Sequence, residues 1–109
     1  MSKATYWQRG ESLDYKNKTA SVIEENTIVI IGSRIGVTGA PVNPGETGPI
    51  HVSGVFEIAK AAGQAIDLGT EVYFDGEKIT TTKTDNTLAG YAAADAASSD
   101  AKVLVKLLG

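Results

Sequence analysis

The stretch Thr70-Glu71-Val72-Tyr73-Phe74-Asp75-Gly76-Glu77-Lys78-Ile79-Thr80-Thr81-Thr82 decides the fold class of this chain. Two runs rich in β-branched and aromatic residues, 70–74 and 78–82, flank Asp75-Gly76-Glu77. Asp-Gly between two such runs is the strongest short-range hairpin signal, because glycine accepts the positive φ of the turn. Working outward, further strand-length segments follow at short intervals, separated by many of the chain's 12 glycines. Residues 5–9 are short and aromatic. Residues 27–31 are β-branched and apolar on both sides, which suits a buried strand. Residues 34–38 follow after Gly32-Ser33. Residues 50–58 alternate, with Ile50, Val52, Phe56 and Ile58 on one face and His51, Ser53, Val55 and Glu57 on the other. Residues 101–108 set Val103, Val105 and Leu107 against Lys102, Leu104 and Lys106. Strands at this spacing predict an all-β fold, a small β-barrel or a jelly-roll-like sandwich.

Two alanine-rich stretches, 59–66 and 91–97, favour helix by propensity. Neither has an apolar stripe at helical spacing, and Gly63 and Gly90 interrupt or precede them. At most a short helical turn is expected at each. Two turns resemble one another: Asn43-Pro44-Gly45-Glu46 ahead of Ile50-His51-Val52, and Asp67-Leu68-Gly69-Thr70 ahead of Val72-Tyr73-Phe74. Glu24-Glu25-Asn26-Thr27 ahead of Ile28 is a weaker third case. Their period is irregular, so they read as recurring lead-in turns rather than as a repeat protein. All three prolines lie in residues 41–49, a stiffened, exposed loop suited to making contacts.

The 109 residues fit one domain, with residues 1–12 as an N-terminal arm. A domain of this size buries about two-thirds of the surface its unfolded chain exposes, enough for a core without staples. With no cysteine there is no disulfide framework and no thiolate site, and the redox compartment stays open. The opening residues lack the apolar run of a signal peptide, and no stretch approaches the about 20 apolar residues of a membrane helix. Cytoplasmic synthesis and no membrane partner are the expectation. Net charge is −3. Through Gly54, five basic residues balance five acidic ones; beyond it, five lysines face eight carboxylates. No basic stripe exists, which argues against a nucleic-acid partner.

The glycines invite a search for a phosphate loop. In Gly32-Ser33-Arg34-Ile35-Gly36-Val37-Thr38-Gly39 no Lys-Ser/Thr pair follows a glycine, and no helix follows to present its N-terminus. These glycines read as turns. His51 is the single histidine, with Ser53 and Glu57 on its face, but Gly48-Pro49-Ile50-His51-Val52-Ser53-Gly54 contains no nucleophile elbow. It reads as a surface or interface histidine. Asp67, Glu71, Asp75 and Glu77 do not match a calcium loop and read as a solvated acidic edge. Asn17-Lys18-Thr19 is a glycosylation acceptor pattern, which without a secretion signal marks only a polar loop. No catalytic residue, metal ligand or cofactor site is predicted. Tyr6 and Trp7 are neighbours, so on a strand they point to opposite faces. An exposed large aromatic near a terminus is a candidate interface anchor. The candidate contact residues are Tyr6, Trp7 and Arg9 in the opening segment, Pro44 and Glu46 in the proline loop, and His51.

The order of these pieces resembles the small phage capsid cement, or decoration, proteins of the DUF2190 type. The resemblance runs nearly end to end. It rests on Ala4-Thr5-Tyr6-Trp7-Gln8-Arg9-Gly10-Glu11-Ser12-Leu13-Asp14-Tyr15, on Pro44-Gly45-Glu46-Thr47-Gly48 leading to Gly54-Val55-Phe56-Glu57-Ile58-Ala59-Lys60, and on Gly69-Thr70-Glu71-Val72-Tyr73-Phe74-Asp75. Leu88-Ala89-Gly90-Tyr91-Ala92 and the closing Val103-Leu104-Val105-Lys106-Leu107-Leu108 complete it. The resemblance implies a compact β subunit, a homodimer or homotrimer, on the outer surface of an icosahedral head, bridging major capsid proteins. Some members carry a recombinase label, which the missing phosphate loop does not support. Two other readings stay open: a generic β module that binds a ligand or carbohydrate through an exposed aromatic such as Trp7 or Tyr73, and a recombinase-like ATPase.

Overall fold

A computed structural model describes residues 1–108. Among them there is no helix, and nine strands form two antiparallel sheets. The strands are β1 (Ser12–Lys16), β2 (Ile28–Ile31), β3 (Arg34–Thr38), β4 (Thr47–His51), β5 (Val55–Ala59), β6 (Glu71–Phe74), β7 (Ile79–Thr80), β8 (Thr87–Ala92) and β9 (Lys102–Leu107). The first sheet has the order β1-β4-β3-β2 and the second β5-β9-β8-β6-β7. The fold is all-β and sandwich-like. Of the two expected architectures the closed barrel is not formed: β5 and β7 remain edges, joined only by a single bridge from Lys60 to Ile79.

The Asp-Gly hairpin forms as expected, with Phe74 opposite Ile79 and Asp75 N donating to Lys78 O. Gly76 takes a φ of +104°, the conformation for which the turn selects glycine. The alternation of residues 102–107 also holds: Val103, Val105 and Leu107 are buried and the residues between them exposed.

Other expectations need correction. Residues 50–58 are not one strand. The chain leaves the first sheet after His51 and enters the second at Val55, through Val52-Ser53-Gly54, where Gly54 has a φ of +104°. The alternation survives the break, which is why the stretch reads as continuous. The two alanine-rich stretches stay within the expected limit of a short helical turn, and neither is helical. Residues 91–92 belong to β8, where Ala92 N donates to Thr70 O, and backbone pairing with two neighbours outweighs alanine's weak helix preference. Residues 59–66 end β5 and then turn at Gly63, with a φ of +78°. Residues 5–9 form no strand; the first strand of the chain is Ser12–Lys16. β2 is an edge strand rather than a buried one, and Ile30 is 50% exposed.

The irregular lead-in turns prove to be one motif used twice in each half of the chain. Ile23 and Val42 exchange backbone hydrogen bonds in the first half, and Ile66 and Ala96 do so in the second. Each of the four begins a lead-in to a strand: β2, β4, β6 and β9. Three of the turns close with the same bond: Glu46 N to Asn43 O, Thr70 N to Asp67 O, and Asp100 N to Ala97 O. In the first two, glycine sits third with φ of +79° and +88°, as a type II turn requires, and Asn26 takes +63° in the third lead-in.

The halves then match strand for strand. β1, β2, β3 and β4 correspond to β5, β6, β8 and β9, in the same Greek-key order. Asn26 N to Thr38 O matches Gly69 N to Ala92 O; Thr38 N to Thr27 O matches Ala92 N to Thr70 O; Val52 N to Glu11 O matches Leu107 N to Gly54 O. The period looked irregular because β2 and β3 are joined by Gly32-Ser33 alone, whereas β6 and β8 are separated by residues 75–86, which carry β7. The expectation that this is not a repeat is thus corrected to an internal two-fold recurrence of topology.

Between the sheets, Ile35 and Val37 of β3 join Val72, Phe74, Ile79, Val103, Val105 and Leu107 of the second sheet in one core. A smaller cluster, Val29, Ile50 and Val52 with Tyr15, Ile23 and Ile31 against it, lies on the other side of the first sheet. β3 is therefore buried on both faces. At the matching step from first to last strand, each half buries one polar side chain. Asn17 is fully buried, and its Nδ2 donates to Ser21 O and Val42 O. Lys60 is 2% exposed, and its Nζ donates to the carbonyls of Ala61 and Gln64, with Ser98 O at 3.5 Å. Burial of these groups is tolerated because each is fully hydrogen-bonded.

Candidate contact surfaces

The six candidate contact residues fall into two groups. Tyr6 and Trp7 are 79% and 88% exposed, and Arg9 is exposed too. All three precede the first strand. The expectation that Tyr6 and Trp7 divide between a core and a solvent face of one strand fails, because no strand forms there. The first hydrogen bond that ties this segment to a sheet is Val52 N donating to Glu11 O.

His51 stands beside the root of that segment. Ser12 pairs with it across β1 and β4, and Ser12 Oγ lies 3.1 Å from His51 Nδ1. The ring packs on Gly39, where an added Cβ would sit 2.9 Å from Nε2, and its centroid is 6.1 Å from that of Phe56. Glu57, expected on the same face, belongs to the other sheet and pairs with Leu104. The half-buried imidazole is thus a packed element of the junction.

Pro44 and Glu46 occupy the opposite end of β4, in the exposed lead-in turn. The turn is rigid: Asn43 Nδ2 donates to Glu46 Oε1 at 3.0 Å, Asn17 N donates to Glu46 O, and Gly45 N donates to Asn17 O. The proline loop ends earlier than expected, because Pro49 lies within β4 opposite Asp14. Its carbonyl accepts from Gly39 N beyond the end of β3, so its missing N–H faces a side where the ladder has stopped.

The acidic residues do not converge. Among the described residues no group of three or more His, Cys, Asp or Glu is placed to hold a metal. Asp67, Glu71, Asp75 and Glu77 are each exposed. Asp75 is held below its ordinary value of 3.8 by the backbone N–H groups of Lys78 and Glu77, which donate to its carboxylate. Its role is to close the hairpin.

One surface escaped the sequence reading. A cleft of about 390 Å³ opens between the sheets, with Ile28, Val37, Phe56 and Ile58 inside and Glu57 and Glu77 also lining it. It adjoins the exposed edge of β2. The apolar run Ile28-Val29-Ile30-Ile31 concealed it, because a run apolar on both faces looks buried whether or not a neighbour covers its edge.

No curated protein and no solved structure matches this chain. A family described as phage cement protein matches residues 7–107, from Trp7 to the end of β9. This match takes in every strand and both halves of the internal recurrence, and the chain belongs to the phage cement protein family.

Proposed function

We propose that this chain binds the outer surface of an assembled icosahedral phage head and stabilises contacts between neighbouring major capsid proteins. It does so as one β unit with an N-terminal arm of about residues 1–12, self-associated as a dimer or trimer. The observation that carries this reading is the family match over residues 7–107.

The geometry supports it physically. Two short-looped sheets sharing a core make a stiff body, and its exposed features are contact features: the arm with Tyr6, Trp7 and Arg9, and the rigid turn with Pro44 and Glu46. His51 supports the root of the arm. A shell presents many equivalent sites, so an oligomer holding several at once needs only modest affinity at each. The role is contact rather than catalysis. A carbohydrate-binding module would need an aromatic platform on a firm face. Tyr6 and Trp7 lie outside every strand, and Tyr73 and Tyr91 are half-buried.

The test uses expanded heads that lack the cement protein. The purified chain should co-sediment with them saturably and raise the temperature at which they rupture. Heads that take up no protein and rupture at an unchanged temperature would refute the proposal.

A further inference from the structure

The two halves of the chain differ at one sheet edge. In the second sheet β6 is covered by β7, with Tyr73 opposite Thr80. In the first sheet its counterpart β2 has no strand on its outer side among the described residues, because β2 runs straight into β3 through Gly32-Ser33. The uncovered backbone can be located. Thr38 N donates to Thr27 O and Thr27 N donates to Thr38 Oγ1, so the backbone N–H and C=O of Thr27 face β3. Alternation along an antiparallel ladder then turns the N–H and C=O of Ile28 and Ile30 away from β3, to the open edge. Ile30 corresponds to Tyr73, the residue that β7 pairs with in the other half.

The same molecule carries a β-prone segment without a partner. Thr5-Tyr6-Trp7-Gln8-Arg9 reads as a strand, yet lies exposed and unpaired before β1. Charge matches the two: residues 1–10 contain Lys3 and Arg9 and no acidic residue, whereas Glu24 and Glu25 precede β2 and Glu57 and Glu77 line the adjoining cleft.

We propose that the open edge of β2 receives residues 5–9 of a second copy of this chain as an added strand. The incoming strand takes the place in the first sheet that β7 takes in the second. Main-chain hydrogen bonds to Ile28 and Ile30 give the affinity, and Ile28, Val37 and Phe56 in the cleft beside the edge shelter an aromatic of the incoming segment. This deepens the self-association named in the proposed function and rests on that part of it, not on binding to the shell.

Trp7 is the chain's single tryptophan, so its emission reports directly on the segment. Two variants separate the two surfaces. Ile30→Pro removes an edge N–H while leaving the β2–β3 ladder intact, since proline is accepted on an edge strand. Deletion of residues 1–10 removes the incoming segment and keeps the edge. In sedimentation, the full chain should associate with concentration as its Trp7 emission moves to shorter wavelength. Each variant alone should be monomeric, with an unchanged far-UV spectrum. A mixture of the two should form a pair of doubled mass, because one supplies the segment and the other the edge.

Ile30→Pro associating like the parent, or a mixture that stays monomeric, would overturn the proposal. So would a monomeric parent whose Trp7 is already sheltered, which means the segment folds onto its own edge. Should Ile30→Pro fail to fold, Trp7→Ser replaces it as a probe of the segment: parent-like association of that variant overturns the proposal, and loss of association supports it. Head binding is measured separately. Heads that bind a chain monomeric in solution sink this inference and leave the cement reading standing; self-association without head binding does the reverse.

Discussion

At the scale of single residues, close approaches and buried polar groups fix what can be changed. Gly90 is the tightest position: a Cβ there would collide with the carbonyl oxygen of Lys106 on the neighbouring strand. Gly36 holds the matching place in the first half, beside the carbonyl of His51. Gly90→Ala should cost about 3 kcal/mol or more in urea unfolding, because backbone must move. Gly76→Ala has open space around it and only an unfavourable φ, so it should cost about 1–2 kcal/mol. Lys60→Met should cost about 1–3 kcal/mol, since it leaves buried carbonyls of the following loop without their donor.

Asp75 makes stability depend on acid. Its folded carboxyl titrates below the ordinary 3.8, so its contribution is fully present above that value and is lost as pH falls through the depressed folded value. Asp75→Asn should therefore lower the unfolding midpoint at neutral pH. The gap to the parent should close as pH is taken below the ordinary carboxylate range. A gap independent of pH would assign the effect to the turn's shape instead.

At the scale of elements, β9 shows how position decides the worth of a side chain. It is the second strand of its sheet, paired with β5 and β8, and its inward residues Val103, Val105 and Leu107 are almost fully buried. Leu107→Ala should cost about 2–5 kcal/mol. Leu104→Ala, on the solvent side of the same strand, should stay under about 1 kcal/mol. Chemical denaturation of the two variants side by side checks this. β7 acts through its place. Two residues long, it covers β6 and seats the buried Ile79 beside Lys60, the kind of very short edge strand that resists edge-to-edge pairing. β2 has no such cover, and this difference between otherwise matching halves marks where another chain can add.

At the scale of the whole molecule, the arm and the sandwich are mechanically separate. Limited trypsin should cut first after Lys3 and Arg9, both exposed and outside the strands, leaving a resistant product beginning at Gly10. At dilution low enough to keep the chain monomeric, that product should unfold within about 0.5 kcal/mol of the parent, because the removed residues bury no core surface. A large loss of stability would mean that the arm packs on its own sandwich. A shell-binding role benefits from this separation: a rigid body keeps its shape while a free segment finds a neighbour.

The sequence by itself determined what is local. Period-two alternation set the inward faces of β4, β5 and β9, Asp75-Gly76 set the hairpin, and Pro44-Gly45 set the turn before β4. These depend only on residues a few positions apart. The ordered pieces also carried the resemblance that the family match upholds. Tertiary structure alone decided what depends on neighbours distant in the chain. Alternation names a face but not the strand beside it, so nothing in residues 50–58 told that the chain changes sheets at Gly54. Alanine's helix preference in residues 91–97 is worth little against pairing of Tyr91 and Ala92 within β8 and of Ala93 and Ala96 with Leu104 and Ile66. The edge of β2 and the solitude of Tyr6 and Trp7 follow from the same cause: a strand exists only where a partner meets it, and among the described residues the segment 5–9 meets none.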